Sequence, residues 1–113
     1  MPENDIINTI YSLFNSRQAD AILAHFHNGV QWPNGWEGGI IHGKDAVREY
    51  WLRQWSEINP IVTPVTITTL NNGRVSVNVH QVVKDLKGMT IFDGVLDHIY
   101  TFRQGLVEKM EIA

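Results

Sequence analysis

The sequence predicts an α+β domain: three N-terminal helices packed on one face of a curved, mostly antiparallel sheet, with a cavity between the layers. Three observations predict it. Apolar residues recur at helical spacing through the first half of the 113 residues, and they switch to period-two alternation after Pro60. All four tryptophans lie between Phe14 and Trp55, ahead of that switch. Large aromatics bury much apolar area and shape a concave surface, so this stretch reads as the wall of a pocket.

Ile6, Ile7, Ile10, Leu13 and Phe14 place a first helix over Glu3 to Asn15, with Glu3 and Asp5 favouring its positive N-terminal end. A second, short helix follows over Asp20 to Phe26. Asp20 is its expected N-cap, and Ile22, Leu23 and Phe26 are its buried side. Val30-Gln31-Trp32 is strand-like, the stretch from Pro33 to Gly39 is a loop, and Ile40-Ile41 suggests a short strand. The third helix is expected over Lys44 to Ile58. Val47, Tyr50, Trp51, Gln54, Trp55 and Ile58 share one face of it, and Pro60 lies beyond its end.

Ile61 to Leu70 is β-branched and reads as a strand bent near Pro64. Asn72-Gly73 is a strong hairpin signal. The next strand alternates Val75, Val77, Val79, Gln81 and Val83 on one face with Ser76, Asn78, His80, Val82 and Lys84 on the other. Lys87-Gly88 turns the chain into a long strand over Thr90 to Phe102, with Gly94 an expected bulge site. The last reversal, Arg103-Gln104-Gly105, has two readings. A two-residue loop sets Val107, Lys109 and Glu111 beside His98, Tyr100 and Phe102. A three-residue loop with Gly105 left-handed sets Leu106, Glu108, Met110 and Ile112 there, matching apolar to apolar; it is the preferred reading, and it has His98 facing Met110 and lying diagonal to Glu108.

Composition bounds the function. A chain of this length is one domain, residues 1–113, able to form a core without staples. Its hydrophobic share of 43% and charged share of 19% are those of a folded globular protein. A net charge of −3 without a basic run speaks against nucleic acid as a partner. The absence of cysteine excludes disulfides and thiolate chemistry. No stretch is long and apolar enough for a bilayer span, and the polar, acidic start is unlike a signal peptide, so the expectation is a cytoplasmic protein with no membrane partner. Only His25 and His27 are close together among the histidines, and no carboxylate completes a metal set; no metal and no cofactor are expected.

Gly43-Lys-Asp-Ala-Val-Arg-Glu-Tyr-Trp51 and Asp97-His98-Ile-Tyr-Thr-Phe102-Arg-Gln-Gly105 stand within this order of elements. Together they resemble the nuclear transport factor 2-like superfamily, and within it the SnoaL-like proteins, related in fold to ketosteroid isomerase and polyketide cyclases. The resemblance covers nearly the whole chain. It implies a cone-shaped half-barrel with an internal cavity and a homodimer through the outer sheet face. It is specific for fold and weak for chemistry, since this fold hosts enzymes, binding modules and adaptors. The ketosteroid isomerase branch uses a carboxylate base and an oxyanion site made of a tyrosine and a neutral aspartic acid. Laid on this chain, that tyrosine falls near Ile10, the base near Trp32 or Asn34, and the aspartic acid on His98, which disfavours steroid-type isomerisation.

His98 is the candidate catalytic residue. It shares a strand face with Tyr100 and Phe102, and a neutral imidazole there can accept, donate or shuttle a proton; the structural alternative is a buried, hydrogen-bonded histidine. Asp97 points to the opposite face. The expected ligand pocket comprises Trp32, Asn34, Trp36, Tyr50, Trp51, Gln54, Trp55, Gln81, Tyr100 and Glu108. Gln81 and Gln54 can orient a carbonyl, or only satisfy a neighbouring polar group. The expected partner is a small apolar or aromatic molecule. If there is catalysis, it is cofactor-free isomerisation, cyclisation or dehydration through His98; the rivals are a non-catalytic binding protein and a dimeric interaction module. A homodimer is also suggested by Ile91, Val95 and Ile99, with Val82, on the sheet face away from the helices.

Overall fold

The computed structural model describes residues 3–113. Two helices, α1 (Glu3–Asn15) and α2 (Ala19–Leu23), lead into the first two strands, β1 (Phe26–Pro33) and β2 (Ile40–His42), and a third helix, α3 (Lys44–Glu57), comes after them. Four more strands follow: β3 (Ile58–Thr69), β4 (Val75–Asp85), β5 (Thr90–Arg103) and β6 (Leu106–Ile112). They form one mixed sheet of order β2-β1-β6-β5-β4-β3. Every pairing is antiparallel except β1 with β6, so the last strand inserts beside the first.

α1 has the bounds that its apolar spacing predicts, and it buries Ile6, Ile7, Ile10 and Tyr11. α2 departs from expectation. Asp20 lies in its first turn and gives its carboxylate to Arg48 at 2.8 Å, while Gln18 stands at the N-cap without a side-chain hydrogen bond. Phe26 is buried as expected, but in a strand: it pairs with Val107 across the parallel ladder. A helix of five residues is too short to hold itself together, and the sheet takes its end.

α3 stops at Glu57, and Ile58 already belongs to β3, where it pairs with Asp85. Pro60 pairs with Val83 in an edge strand, a place where a missing N–H does no harm. The bend expected near Pro64 is a register shift between Pro64 and Thr66 that leaves Val65 without a partner.

Gly94 is not a bulge. It pairs regularly with Gln81, and the shift in β5 falls between Phe92 and Thr90, at Ile91. Gly94 serves instead as a floor for Phe92: a Cβ built there would come within 2.9 Å of Phe92 Cζ. The bulge also turns Ile91 from the outer face, where strict alternation puts it, to the rim of the pocket.

The β5–β6 hairpin combines the two readings of its loop. Arg103 pairs with Leu106, so the loop has two residues, Gln104 and Gly105, both with positive φ (53° and 80°). This is the geometry that matches strand twist in a tight hairpin. Val107 therefore sits beside Phe102, but a bulge at Glu108 then restores the apolar match, setting Met110 beside Tyr100 and Ile112 beside His98. His98 thus faces Ile112 and not Met110.

The inner sheet face carries Val75, Val77, Val79, Tyr100, Val107 and Met110, which pack in one core with α1 and with Val47, Tyr50 and Trp51 of α3. Burying each large side chain of this kind contributes on the order of 1.5–3 kcal/mol. The outer face bears His80 paired with Asp93 at 2.7 Å and Asn78 bonded to Asp97 at 3.0 Å, beside an exposed Val95. Among the described residues, no helix is long and apolar enough to cross a membrane.

Candidate functional site

The two layers separate around a pocket of about 450 Å³, lined by α1, the β1 end, α3 and the inner face of β3 to β6. This is within the range of small-molecule sites. Trp32, Trp36, Tyr50, Trp51, Gln54, Gln81, His98 and Tyr100 of the expected set all line it. Ile10, Phe14, Val62, Leu96 and Met110 complete much of the apolar wall.

Three expected residues lie outside it. Asn34 organises the loop after β1: its Oδ1 accepts from the backbone N–H groups of Trp36 (3.1 Å) and Glu37 (2.7 Å), an Asx-type turn that holds Trp36 over the pocket. Trp55 lies behind the wall, its ring 6.0 Å from Trp51 and 5.3 Å from Phe14, with the Arg17 guanidinium over it at 5.4 Å. Glu108, displaced by its own bulge, pairs with Arg103 at 3.6 Å instead of reaching His98.

The aromatic wall is a continuous stack. Trp32 packs on Phe26 (5.2 Å, nearly parallel) and meets Trp51 edge-on at 5.5 Å. Such pairs add about 0.5–1.5 kcal/mol beyond the area they bury and fix the ring positions. Gln54 donates from Nε2 to the Tyr50 hydroxyl at 3.3 Å, so the two pocket-lining polar residues of α3 satisfy each other in part. Burial pushes the Tyr50 phenol up from its ordinary value.

The polar centre joins α1 to β5. Tyr100 Oη donates to Tyr11 Oη at 2.9 Å, and Tyr11 Oη lies 2.8 Å from His98 Nδ1. All three side chains are buried, Tyr100 completely. Burial, the dominant cause, lowers the His98 imidazole from 6.5 to about 4, with Asp97 opposing weakly; the ring is neutral at pH 7. Burial likewise raises both phenols, so neither ionises near neutrality.

Tyr11 is the functional candidate missing from the sequence reading. The signal was available: Tyr11 lies four residues after Ile7 and three before Phe14, on the buried stripe of α1. No Asp or Glu lines the pocket among the described residues, and no group of three or more His, Asp or Glu there could hold a metal ion.

The SnoaL-like domain family matches residues 7–110. Curated protein sequences return no match. Solved structures agree in fold. TerC, co-crystallised with polyporic acid, is 23% identical over 100% of this chain and 91% of its own, with a TM-score of 0.85. An NTF2-like protein of unknown function from Burkholderia pseudomallei is 22% identical over 100% and 91%, with a TM-score of 0.84. A candidate polyketide cyclase from Pseudomonas putida is 15% identical over the same shares, with a TM-score of 0.86. With a family match over nearly its whole length, a fold that reproduces these relatives and a pocket between helices and sheet, the chain belongs to the SnoaL-like domain family.

Proposed function

We propose that residues 1–113 act as one SnoaL-like domain that binds a small, largely apolar or aromatic molecule between α3 and the sheet. The observation that carries this reading is the pocket itself: about 450 Å³ walled by Trp32, Trp36, Trp51 and Phe14, with few polar groups. A filled core would leave no such space, which weighs against a purely interactive role. The relatives lend support, since TerC was crystallised with polyporic acid and the Pseudomonas putida protein is a candidate polyketide cyclase.

The test uses a neutral apolar fluorophore, N-phenyl-1-naphthylamine. Its emission rises on binding to the wild-type protein, and Leu96→Trp, which fills the pocket from the sheet side, abolishes the rise. No rise with the wild type, or an equal rise with the filled variant, overturns the reading. Native mass spectrometry of freshly purified protein then reveals any molecule it retains.

A second reading adds turnover: cofactor-free isomerisation, cyclisation or dehydration, with neutral His98 as the hydrogen-bond or proton donor to the reacting oxygen. The buried Tyr100–Tyr11–His98 chain favours it, because an ordered polar group at the end of an apolar pocket is what such chemistry needs. The domain pairs through its outer sheet face, where Val82, Val95 and Ile99 lie among the polar pairs of His80 and Asn78. Sedimentation at micromolar concentration giving twice the 12.9 kDa mass supports the pairing; a monomer refutes it.

A further inference from the structure

We propose that Tyr100 and Tyr11 lock His98 as the tautomer protonated on Nε2, so that the pocket meets its ligand with a fixed N–H donor and selects molecules carrying a carbonyl, enolate or phenolate oxygen. The inference rests on the ligand-binding reading above and names the chemistry of its ligand.

The direction of the hydrogen bonds follows from counting protons. Each phenol has one hydroxyl hydrogen, and the neutral imidazole has one N–H. The Tyr100 hydroxyl is completely buried, and its partner is Tyr11. If Tyr100 donates to Tyr11 and Tyr11 donates to Nδ1, both phenol hydrogens are bonded and the imidazole hydrogen is on Nε2. If Nδ1–H donates to Tyr11 instead, three hydrogens share two links, and one buried phenol hydrogen, on Tyr11 or on Tyr100, is left without a partner. A stranded buried donor is expensive enough to decide between two otherwise similar tautomers.

Nδ1 is therefore an acceptor, and the proton sits on Nε2. Among the described residues that nitrogen has no partner. It is also absent from the buried orphaned atoms of the described residues, which are Trp55 Nε1 and Arg74 Nε. It therefore keeps contact with open space, and His98 lines the pocket. A histidine in this state is a poor base: its free lone pair is already used by Tyr11, and burial opposes its protonation. What it offers is a donor aimed at a ligand oxygen, with two tyrosines as positioning residues behind it.

The first test needs no ligand. Long-range ¹H–¹⁵N correlation of the free wild-type protein at pH 7 should show His98 with an unprotonated Nδ1 and a protonated Nε2. Tyr11→Phe should turn this into a mixture of tautomers, while Tyr50→Phe, which leaves the chain intact, should not. A His98 protonated on Nδ1 or on both nitrogens, or a tautomer unmoved by Tyr11→Phe, overturns the proposal.

The second test compares 2-acetonaphthone with 2-ethylnaphthalene, matched in shape, as competitors of N-phenyl-1-naphthylamine. The ketone should bind about tenfold tighter, the worth of one neutral hydrogen bond. His98→Gln, which keeps an N–H, should retain part of that preference, and His98→Leu should remove it. Equal affinity of the two competitors overturns the donor role while leaving the apolar pocket standing. Failure of the fluorophore and both competitors to bind overturns the pocket reading and the ligand class with it.

Discussion

Tyr11 Oη lies 2.8 Å from His98 Nδ1, although 87 positions separate the two residues. The contact joins the first helix to the long fifth strand, so the polar centre of the pocket exists only when both layers are assembled. Its energetics are testable apart from any ligand.

Tyr11→Phe leaves two buried polar atoms, Tyr100 Oη and His98 Nδ1, without a partner, and should destabilise the protein by about 1–3 kcal/mol. Adding Tyr100→Phe removes one of those orphans. The double variant should thus lose clearly less than the sum of the two single losses. Urea unfolding of the wild type and three variants measures this, and strict additivity would show that the tyrosines do not act as a chain.

Stability should fall in mild acid through His98. Its folded value of about 4 lies below the ordinary 6.5, so as pH drops the unfolded chain takes up the proton first. The contribution is complete above pH 6.5, declines between pH 6.5 and 4, and levels off below 4, for a total of roughly 3 kcal/mol. A series of urea midpoints across this range should show the decline in the wild type and its reduction in His98→Asn. A flat wild-type profile would contradict the buried, neutral imidazole.

The β5–β6 turn makes a backbone prediction. Gly105, at φ 80°, is strained by any side chain, so Gly105→Ala should cost about 1–2 kcal/mol. Gln104 already bears such strain at φ 53°, and Gln104→Asn should recover up to about 1 kcal/mol, since asparagine tolerates the left-handed region. Thermal unfolding of both variants decides it; equal effects of the same sign would mean that the loop has another geometry.

Gly94→Ala probes the pocket rim. The new Cβ meets the free end of the half-exposed Phe92 ring, which can swing aside without moving the backbone. Stability should change by less than about 1 kcal/mol, while stopped-flow mixing with N-phenyl-1-naphthylamine should show altered association. A large loss of stability with unchanged association would place the ring's role in the core instead.

Much of the fold was legible in the sequence because strong local signals agreed with the tertiary result. The apolar stripe of α1, the Asn72-Gly73 hairpin and the Val75–Val83 alternation each have one sensible reading. The bulges at Ile91 and Glu108 were illegible for a physical reason: each inserts one residue into a ladder, a choice made by packing across strands and unmarked by glycine or proline. Those two residues then carried the errors downstream, misplacing Ile91 on the outer face, Met110 opposite His98, and Glu108 in the pocket. Tyr11 was overlooked because helical periodicity reports only that a residue is buried, while the partner that gives its hydroxyl a purpose lies at the far end of the chain.

The insertion of β6 between β1 and β5 has a consequence for biosynthesis. Until residues 106–112 have left the ribosome, β1 lacks the neighbour that ties it to β5, and Trp32 has no finished sheet to lean on. Contacts this distant close slowly, because the chain must surrender so much freedom before they form. The nascent polypeptide therefore carries its tryptophan-rich half half-dressed, with α3 and the β3–β5 meander made but the wall between them open. For that interval the apolar surfaces that later line the pocket are exposed to wrong partners.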